Sequence, residues 1–318
     1  MTKNTRNKAI IFAKDFIETS EGLVFAVVSS TIEQDQVLCF LRYIKRGSVW
    51  NKLSTDPANA YLKQHYPDYL YYSANLDAHL HAVPLKRIVK HHQAKQRLQD
   101  LMQTEQLDTI ESDLTQLCQL LQQAGLDLSQ TGVTGSLLIG AQQASSDIDL
   151  VCYSRSAFNQ CRELTRMLIA QQQLHELDEQ DWQASYDRRS CELSYSDYIW
   201  HERRKYNKAV INGRKFDLNF IEDSPSSELS RYQKCAAITL QCIITDDTHA
   251  FDYPAEFKIA HDDIDAIVSF TATYTGQAFK GETVEVSGIV EQNHLGIKRI
   301  VVGSSREAHG EYIKVLRA

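Results

Sequence analysis

The sequence predicts an α+β fold, because three kinds of hydrophobic pattern follow one another along its 318 residues. Residues up to 92 are rich in strand-type apolar runs, residues 94–222 combine helical and strand patterns, and the last third is strand-rich and punctuated by glycine. A chain of this length can bury two or three cores. We therefore expect a small α+β domain at 1–93, a central domain with a mixed sheet and flanking helices at 94–224, and a β-rich domain at 225–318.

The composition is that of an ordinary folded protein, with 43% hydrophobic and 24% charged residues. The scarcity of glycine and proline argues against long linkers and low-complexity arms. The net charge of −7 argues against a broad basic surface that grips long nucleic acid. Any nucleic-acid contact is therefore expected to be local. Residues 86–97, which are rich in lysine, arginine and histidine, form either such a contact or a solvated helix face.

The 7 cysteines indicate a reducing compartment. None forms a Cys-x-x-Cys pair, their number is odd, and most lie inside apolar runs, so free buried thiols explain them best. The polar residues 1–8 precede an apolar stretch that is too short for a signal peptide or a membrane span. We expect a cytoplasmic protein without membrane contact.

The first half of the chain has clear strand and helix patterns. Apolar runs at 22–29 and 37–44, with turn-type residues between them, predict a strand hairpin. Residues 94–124 carry leucines at helical spacing, and Gly125 is a natural stop.

The second half begins with alternating strands and helices. Strands are predicted at 131–134 and 147–153, Ser156 is placed to cap the helix that follows, and a polar helical stretch is expected at about 178–205. The dipeptide Asn212-Gly213 favours a type I′ turn in a strand hairpin. The strands of this hairpin are predicted at 208–211 and 214–221. The strands of the C-terminal region are predicted at 284–290, 299–303 and 312–316. The C-terminal strands fit either a meander or a small barrel, such as one of the oligonucleotide-binding type.

Two carboxylates stand two residues apart in the predicted strand at 147–153. Because side chains alternate along a strand, Asp147 and Asp149 are expected on one face while their neighbours point into a core. Paired carboxylates repel each other unless a cation lies between them, and a divalent ion is the simplest remedy. Asp217, in a second apolar strand, supplies a third carboxylate if that strand pairs beside the first.

Gly135-Ser136 precedes the acidic pair by ten intervening residues, at a predicted strand-to-helix junction. A glycine lets the backbone approach a phosphate closely, and the first amides of a helix together with a serine hydroxyl form an anion site. Carboxylates for divalent ions and a turn for phosphates are what transfer of a nucleotidyl group requires.

The stretches 133–140 and 145–151 together resemble the DNA-polymerase-β-like nucleotidyltransferase superfamily. The motif of that superfamily is a hydrophobic residue, Gly-Ser, a gap of about ten residues, and then Asp-hydrophobic-Asp-hydrophobic. Asp217 matches the third carboxylate of the superfamily in type, order and strand context. The resemblance covers roughly residues 130–222 and implies a nucleotidyltransferase domain at the centre of the chain. More weakly marked segments at 16–25 and 80–84 are similar to uncharacterised prokaryotic predicted nucleotidyltransferases.

The resemblance implies a role for each residue of the motif. Asp147 and Asp149 would ligate two Mg²⁺ ions, with Mn²⁺ as an alternative. Asp217 would ligate the nucleophile-side metal and help to deprotonate or orient the attacking hydroxyl. Gly135 and Ser136 would hold the β- and γ-phosphates of an NTP such as ATP.

The source of positive charge for the triphosphate departs from the pattern of the superfamily. Several small members carry an arginine soon after Gly-Ser, where this chain has Leu137 and Leu138. The nearest other cations, each of which has a surface charge as its alternative role, are Arg203, Arg204, Lys205, Lys208, Arg214 and Lys215. Of these we take Arg203, Arg204 and Lys215 as candidate nucleotide-binding residues.

The predicted function is transfer of a nucleoside monophosphate from an NTP to an acceptor, with release of pyrophosphate. The acceptor is open between RNA, a protein side chain and a small molecule, and the oligomeric state is open too. A binding module of the same fold without catalysis and a metal-dependent phosphohydrolase are the alternatives. His79 with His81 is open between metal binding, a contact to substrate and a structural or exposed role. The tyrosines at 66–72 are open between base stacking and packing.

Overall fold

The computed structural model describes residues 10–317 except 48, 75–77, 190, 223–231 and 305–307. Its mixture of helices and strands confirms the predicted α+β class. By compactness the chain divides into two units, Met1–Ala157 with Asp223–Leu229 and Phe158–Glu222 with Ser230–Ala318. The three predicted domains stay a prediction. The predicted boundary at 224–225 and the N-terminal residues 1–8 lie outside the described residues.

The first unit contains an antiparallel sheet of seven strands with the order β5-β6-β3-β2-β1-β7 and with β4 paired to β3. The predicted hairpin is confirmed as β2 and β3. Helix α1 (Thr55–His65) follows β4 in the chain. The strands are β1 (Phe16–Thr19), β2 (Leu23–Glu33), β3 (Gln36–Arg46), β4 (Val49–Lys52), β5 (Leu70–Ser73), β6 (Ala78–Pro84) and β7 (Ile88–His92).

Both faces of this sheet are apolar. On one face Phe25 and Leu41 pack in the same cluster as Leu62 of α1. On the other face Tyr43 packs with Leu138, which follows the Gly-Ser motif. Leu41 and Tyr43 serve different faces because the β2–β3 ladder shifts its register between them. The N-terminal sheet therefore helps to hold the motif in place.

Two helices confirm the pattern predicted at 94–124: α2 (Ala94–Gln103) and α3 (Thr109–Gln123). Asp108 starts α3 with a capping box, because its carboxylate accepts from two amides of the first turn and Glu111 reaches back to the Asp108 amide. Gly125, at a φ of 102°, provides the predicted stop.

Strands β8 (Thr131–Thr134) and β9 (Ile148–Cys152) pair antiparallel, with Thr134 opposite Asp149. Helix α2 crosses β8 so closely that a Cβ on Gly132 would lie 2.7 Å from the carbonyl carbon of Ala94. This packing fixes the end of β8, which leads directly into the Gly-Ser motif, beside β9.

Helix α4 (Arg155–Ala170) begins earlier than predicted. The sequence favours Ser156 as its cap, but the Ser154 hydroxyl accepts a hydrogen bond from the Ala157 amide at 3.1 Å. Because β9 ends at Cys152, the turn into the helix leaves only the earlier serine outside it.

The second unit contains two helices where the sequence predicts one stretch at about 178–205. They are α5 (Glu179–Arg189) and α6 (Tyr195–Arg203), and the Ser194 hydroxyl caps α6 by accepting from the Asp197 amide at 3.2 Å. A helix with its own cap is a separate helix, so the single stretch is wrong.

The predicted hairpin is confirmed as β10 (Lys208–Ile211) and β11 (Arg214–Phe220). Asn212 and Gly213 have φ values of 50° and 77°, as a type I′ turn requires.

The C-terminal strands form a closed barrel rather than a meander. The first strand pairs with both the second and the fourth, so the sheet closes on itself. The pair formed by the third and fifth strands is parallel, and the other pairs are antiparallel. The strands are β12 (Tyr232–Asp246), β13 (Ala255–Ala260), β14 (Ala266–Ser269), β15 (Thr283–Asn293), β16 (Lys298–Val302) and β17 (Tyr312–Val315).

All seven cysteines are free, as predicted, and five of them are buried. Among the described residues, no helix has the length and apolar character needed to cross a membrane.

Candidate functional site

Gly135 and Asp149 lie in direct contact. Gly135 follows Thr134, which pairs with Asp149 across the β8–β9 ladder, and its φ of 68° is in the left-handed region. A Cβ at this position would overlap Oδ2 of Asp149 and lie 3.4 Å from its Cγ. Only glycine therefore allows both this turn and the position of this carboxylate. The structure brings together these two residues of the motif.

Asp147 lies immediately before β9 and is exposed. Within the strand, Ile148 and Leu150 are buried while Asp149 between them is half-buried, so the predicted alternation is confirmed there. The predicted strand began at Asp147, whereas the observed strand begins one residue later. Strand geometry thus fixes the side of the sheet for Asp149 but not for Asp147.

The segment after Ser136 is a single 3₁₀ turn, Leu137–Ile139, rather than the start of a longer helix. Leu137 and Leu138 are buried, and Gly140, at a φ of 67°, ends the turn. These two leucines therefore anchor this turn in the core. The Ser136 hydroxyl caps no helix and is half-exposed, so it is accessible to a ligand.

Arg97 fixes the same turn from another side. Its Nε donates to the Leu137 carbonyl at 3.0 Å, and its Nη2 lies 2.7 Å from Oε1 of Glu111. The sequence places Arg97 only in a basic stretch, because no local pattern reveals a partner forty residues away. Arg97 is thus a positioning residue that sequence reasoning missed.

Tyr43 marks the electrostatic environment of Asp149. Burial raises the pKa of the Tyr43 hydroxyl, the charge of Arg42 lowers it, and the Asp149 carboxylate raises it. The negative charge of Asp149 therefore acts on Tyr43, which lies on the face of the N-terminal sheet that packs on the motif.

Asp217 lies on β11 in the second unit and is half-buried between the buried Phe216 and Leu218, as the predicted alternation requires. Its cross-strand neighbour is Lys208. Burial lowers the pKa of the Lys208 ammonium, but the charges of Glu202 and Asp217 raise that pKa by a larger amount. This lysine therefore stays protonated. The hairpin thus presents Asp217 beside a fixed positive charge.

The predicted nucleotide-binding cations all have carboxylate partners. Nε of Arg203 lies 3.6 Å from Glu176, and both side chains are about half-exposed. Nη2 of Arg204 donates to Glu282 at 2.6 Å, and its guanidinium stacks on aromatic rings. Lys215 lies 3.0 Å from Asp181. Arg203 has the longest and most exposed of these pairs.

The donor set of the motif suits a hard divalent ion in kind. Among the described residues, no group of three or more histidine, cysteine, aspartate or glutamate side chains is arranged to hold a metal ion. Asp147 and Asp149 belong to the first unit and Asp217 to the second. Proteins usually bind Mg²⁺ through one or two carboxylates, with phosphate oxygens and water as the other ligands. Asp149, alone or with Asp147, would supply that number of carboxylates.

Of the two histidines at positions 79 and 81, His81 has a structural role. Nδ1 of His81 accepts from the Leu41 amide at 2.9 Å, and Nε2 lies 2.7 Å from Oδ1 of Asn59. Burial lowers the pKa of His81 to about 4, so the ring is neutral, and both of its nitrogens are occupied. In the tyrosine cluster Tyr69 is completely buried, which favours packing over base stacking for that residue.

The chain is similar to the uncharacterized protein MJ1086 of Methanocaldococcus jannaschii. The two are 31% identical over an alignment of 337 positions, which covers 96% of this chain and 98% of the relative. No family model and no solved structure matches the chain. Identity at this level over nearly the full length of both proteins shows common descent, and this chain belongs to the same family as MJ1086.

Proposed function

We propose that this protein is a metal-dependent nucleotidyltransferase that moves a nucleoside monophosphate from an NTP to an acceptor. The observation that carries the proposal is the contact between the Asp149 carboxylate and the Gly135 turn. The Gly-Ser dipeptide and Asp149 of the acidic pair, which ten residues separate from that dipeptide in sequence, lie together at one end of the β8–β9 ladder. A turn that requires glycine and touches a carboxylate supports a site that binds phosphate and a divalent ion together.

Each residue of the motif has its own role in the proposed reaction. Bound Mg²⁺ or Mn²⁺ ions would neutralise the triphosphate and make the acceptor hydroxyl more acidic. Asp147 and Asp149 would hold these ions, and Asp217 is the third carboxylate that the motif assigns. The backbone at Gly135 and the Ser136 hydroxyl bind the β- and γ-phosphates. The acceptor oxygen bonds to the α-phosphorus, the bond from that phosphorus to the bridging oxygen breaks, pyrophosphate leaves, and the acceptor proton passes to a base, which is the role that the resemblance implies for Asp217.

Arg203 is the strongest of the three candidate cations for the triphosphate. Its guanidinium is half-exposed and only loosely paired, so a phosphate can displace Glu176 at little cost. Arg204 and Lys215 have shorter ion pairs and would have to break them.

RNA is the acceptor that the C-terminal barrel favours. The strand order β12-β13-β14-β16-β15, closed back onto β12 and with a parallel β14–β16 pair, supports a barrel of the oligonucleotide-binding type. A fold does not fix its ligand, so protein and small-molecule acceptors belong in the same test. Seven free cysteines support action in a reducing compartment such as the cytoplasm.

The test is an incubation of the full chain with each NTP, labelled at the α-phosphate, in the presence of Mg²⁺ or Mn²⁺. Separate reactions contain pools of RNA, protein and metabolites. We expect label in one pool together with stoichiometric pyrophosphate. Release of inorganic phosphate without labelling would indicate a phosphohydrolase instead. Tight NTP binding without any turnover would indicate a catalytically inactive binding module.

Gly135→Ala and Gly140→Ala form a matched pair for the central contact. Both glycines have nearly the same positive φ, but a Cβ at Gly140 would meet no atom within 4 Å. Each change should cost about 1–2 kcal/mol in the free energy of unfolding, because alanine is strained in this conformation. Only Gly135→Ala pushes the Asp149 carboxylate aside, and a displacement of about 1 Å should slow transfer about 10²-fold.

Chemical unfolding and label transfer, measured on both variants, separate the two effects. Equal losses of transfer in both variants would show that the contact between Gly135 and Asp149 has no role in the reaction.

A further inference from the structure

A groove of about 550 Å³ lies along one face of α6 in the second unit. That face forms because four of its residues recur at steps of three and four, which places their side chains side by side. They are Ser196, Ile199, Trp200 and Arg203. Tyr206, just after the helix, and Arg317, from the C-terminal segment, also line the cavity. We call this cavity the α6 groove.

The α6 groove concentrates arginine in a protein whose net charge is −7. Arg203, Arg204 and Arg317 line it, against Glu176 as the one carboxylate among its lining residues. Arg204 is 16% exposed and is held by Glu282. Arg203 is 49% exposed and lies 3.6 Å from Glu176, so its guanidinium group can turn to an incoming anion, whereas Arg317 is paired with Asp197 at 2.5 Å. A planar guanidinium binds two phosphate oxygens at once.

The α6 groove also contains an aromatic surface. Trp200 is half-buried, and two arginines lie over its ring, Arg204 at 4.4 Å and Arg317 at 5.2 Å from the ring centroid. Such contacts show that the face of the indole attracts flat cationic or polar groups. Arg317 is the more exposed of the two, and a base that stacks on this ring would have to displace it while its pair with Asp197 holds the guanidinium group in place.

We propose that the α6 groove binds a nucleotide unit, with its base stacked on Trp200 and its phosphate held by Arg203. Stacking on an indole and pairing with guanidinium groups are the two contacts by which proteins hold unpaired nucleotides. The volume is in the range of cavities that enclose small organic ligands. The inference rests on the proposed function for the class of ligand, and it adds a location at which the second unit holds a substrate. A free nucleotide and the end of a single-stranded RNA present the same chemistry.

The test measures binding separately from transfer. A fluorescent single-stranded RNA is titrated by anisotropy, and each unlabelled NTP is titrated by calorimetry, against the full chain. Asp149→Asn serves as the parent protein, so that no turnover disturbs the titrations. We expect saturable binding that Trp200→Leu and Arg203→Gln each weaken about tenfold, since stacking of one base contributes about that much affinity or more. Trp200→Phe should restore most of the binding.

Arg166→Gln is the matched control. Arg166 is also half-exposed and also paired with a glutamate, but it does not line the groove. Tight binding of the RNA alone identifies the end of a strand as the ligand, and tight binding of an NTP identifies the free nucleotide. The proposal is overturned if neither probe binds, if Arg166→Gln weakens binding as much as Arg203→Gln, or if a phosphopeptide competes better than any nucleotide. Transfer by the wild type with unchanged binding in the groove variants would refute the groove alone, and groove-dependent binding without transfer would refute only the proposed reaction.

Discussion

Asp149→Asn is expected to slow nucleotidyl transfer by at least about 10³-fold while the fold stays intact. The amide has the shape of the carboxylate, so it fits the same half-buried position beside Gly135. It is neutral and a poor ligand for a hard divalent ion. Loss of several kcal/mol of charge stabilisation in the transition state corresponds to about a thousandfold in rate. Single-turnover label transfer at saturating NTP measures this effect, and circular dichroism during thermal unfolding checks the fold.

Asp127→Asn is the control for this substitution. Asp127 belongs to the same unit and is exposed, and its side chain accepts from the Ser129 amide in a turn away from the motif. Its change should leave transfer unaltered. Asp147→Asn and Asp217→Asn should each follow Asp149→Asn if all three carboxylates act together. Transfer by Asp149→Asn within tenfold of the wild type would remove Asp149 from the site.

The parts of the site that the sequence predicts correctly depend on local rules. The two-residue period of a strand predicts Asp149 between two buried neighbours, and it does the same for Asp217. The Asn212-Gly213 turn follows from the φ values that only a few residue types tolerate.

The parts that sequence reasoning misses depend on contacts between distant segments. Whether the chain after Ser136 forms a helix or one turn is decided by the packing of Leu138 on the N-terminal sheet, more than ninety residues away from Tyr43 in sequence. Arg97 acquires its role from a carbonyl forty positions further on. Lys205 looks like one more member of a basic cluster at 203–215, yet it is buried and paired inside the second unit. Periodicity carries no information about such partners.

Glu202→Gln is expected to destabilise the protein by about 3–5 kcal/mol, the usual cost of removing one partner from a buried ion pair. Glu202 is only 4% exposed and forms ion pairs with Lys205, which is 2% exposed, and with Lys208. Burial favours protonation of the Glu202 carboxyl, but the two ammonium charges outweigh it and lower the pKa to about 2. The amide is neutral, so it would leave the Lys205 ammonium buried without a compensating charge, although its bond to the Thr273 carbonyl, at 3.1 Å, would stay. Chemical unfolding at neutral pH measures the loss.

Glu176→Gln is the matched control, because Glu176 also pairs with an arginine but is half-exposed and distant from its partner at 3.6 Å. Its loss should stay below about 1 kcal/mol. The double change Glu202→Gln with Lys205→Met removes the more deeply buried of the two charges stranded by the single change and should recover part of the stability. A loss in Glu202→Gln no larger than that in Glu176→Gln would contradict the buried pair.

The same pair makes a specific contribution to acid stability. A carboxyl whose pKa falls from 4.5 in the unfolded chain to about 2 in the folded chain binds fewer protons when folded, so its stabilisation is complete above pH 4.5 and disappears as the pH falls through 2. The wild type should therefore lose the stabilisation from this group over that interval. Glu202→Gln has nothing to lose there, so the difference in unfolding free energy between the two proteins should shrink as the pH falls from 4.5 to 2. A constant difference across that window would mean that the carboxyl is not held ionised by Lys205 and Lys208, and that its effect on stability arises from packing alone.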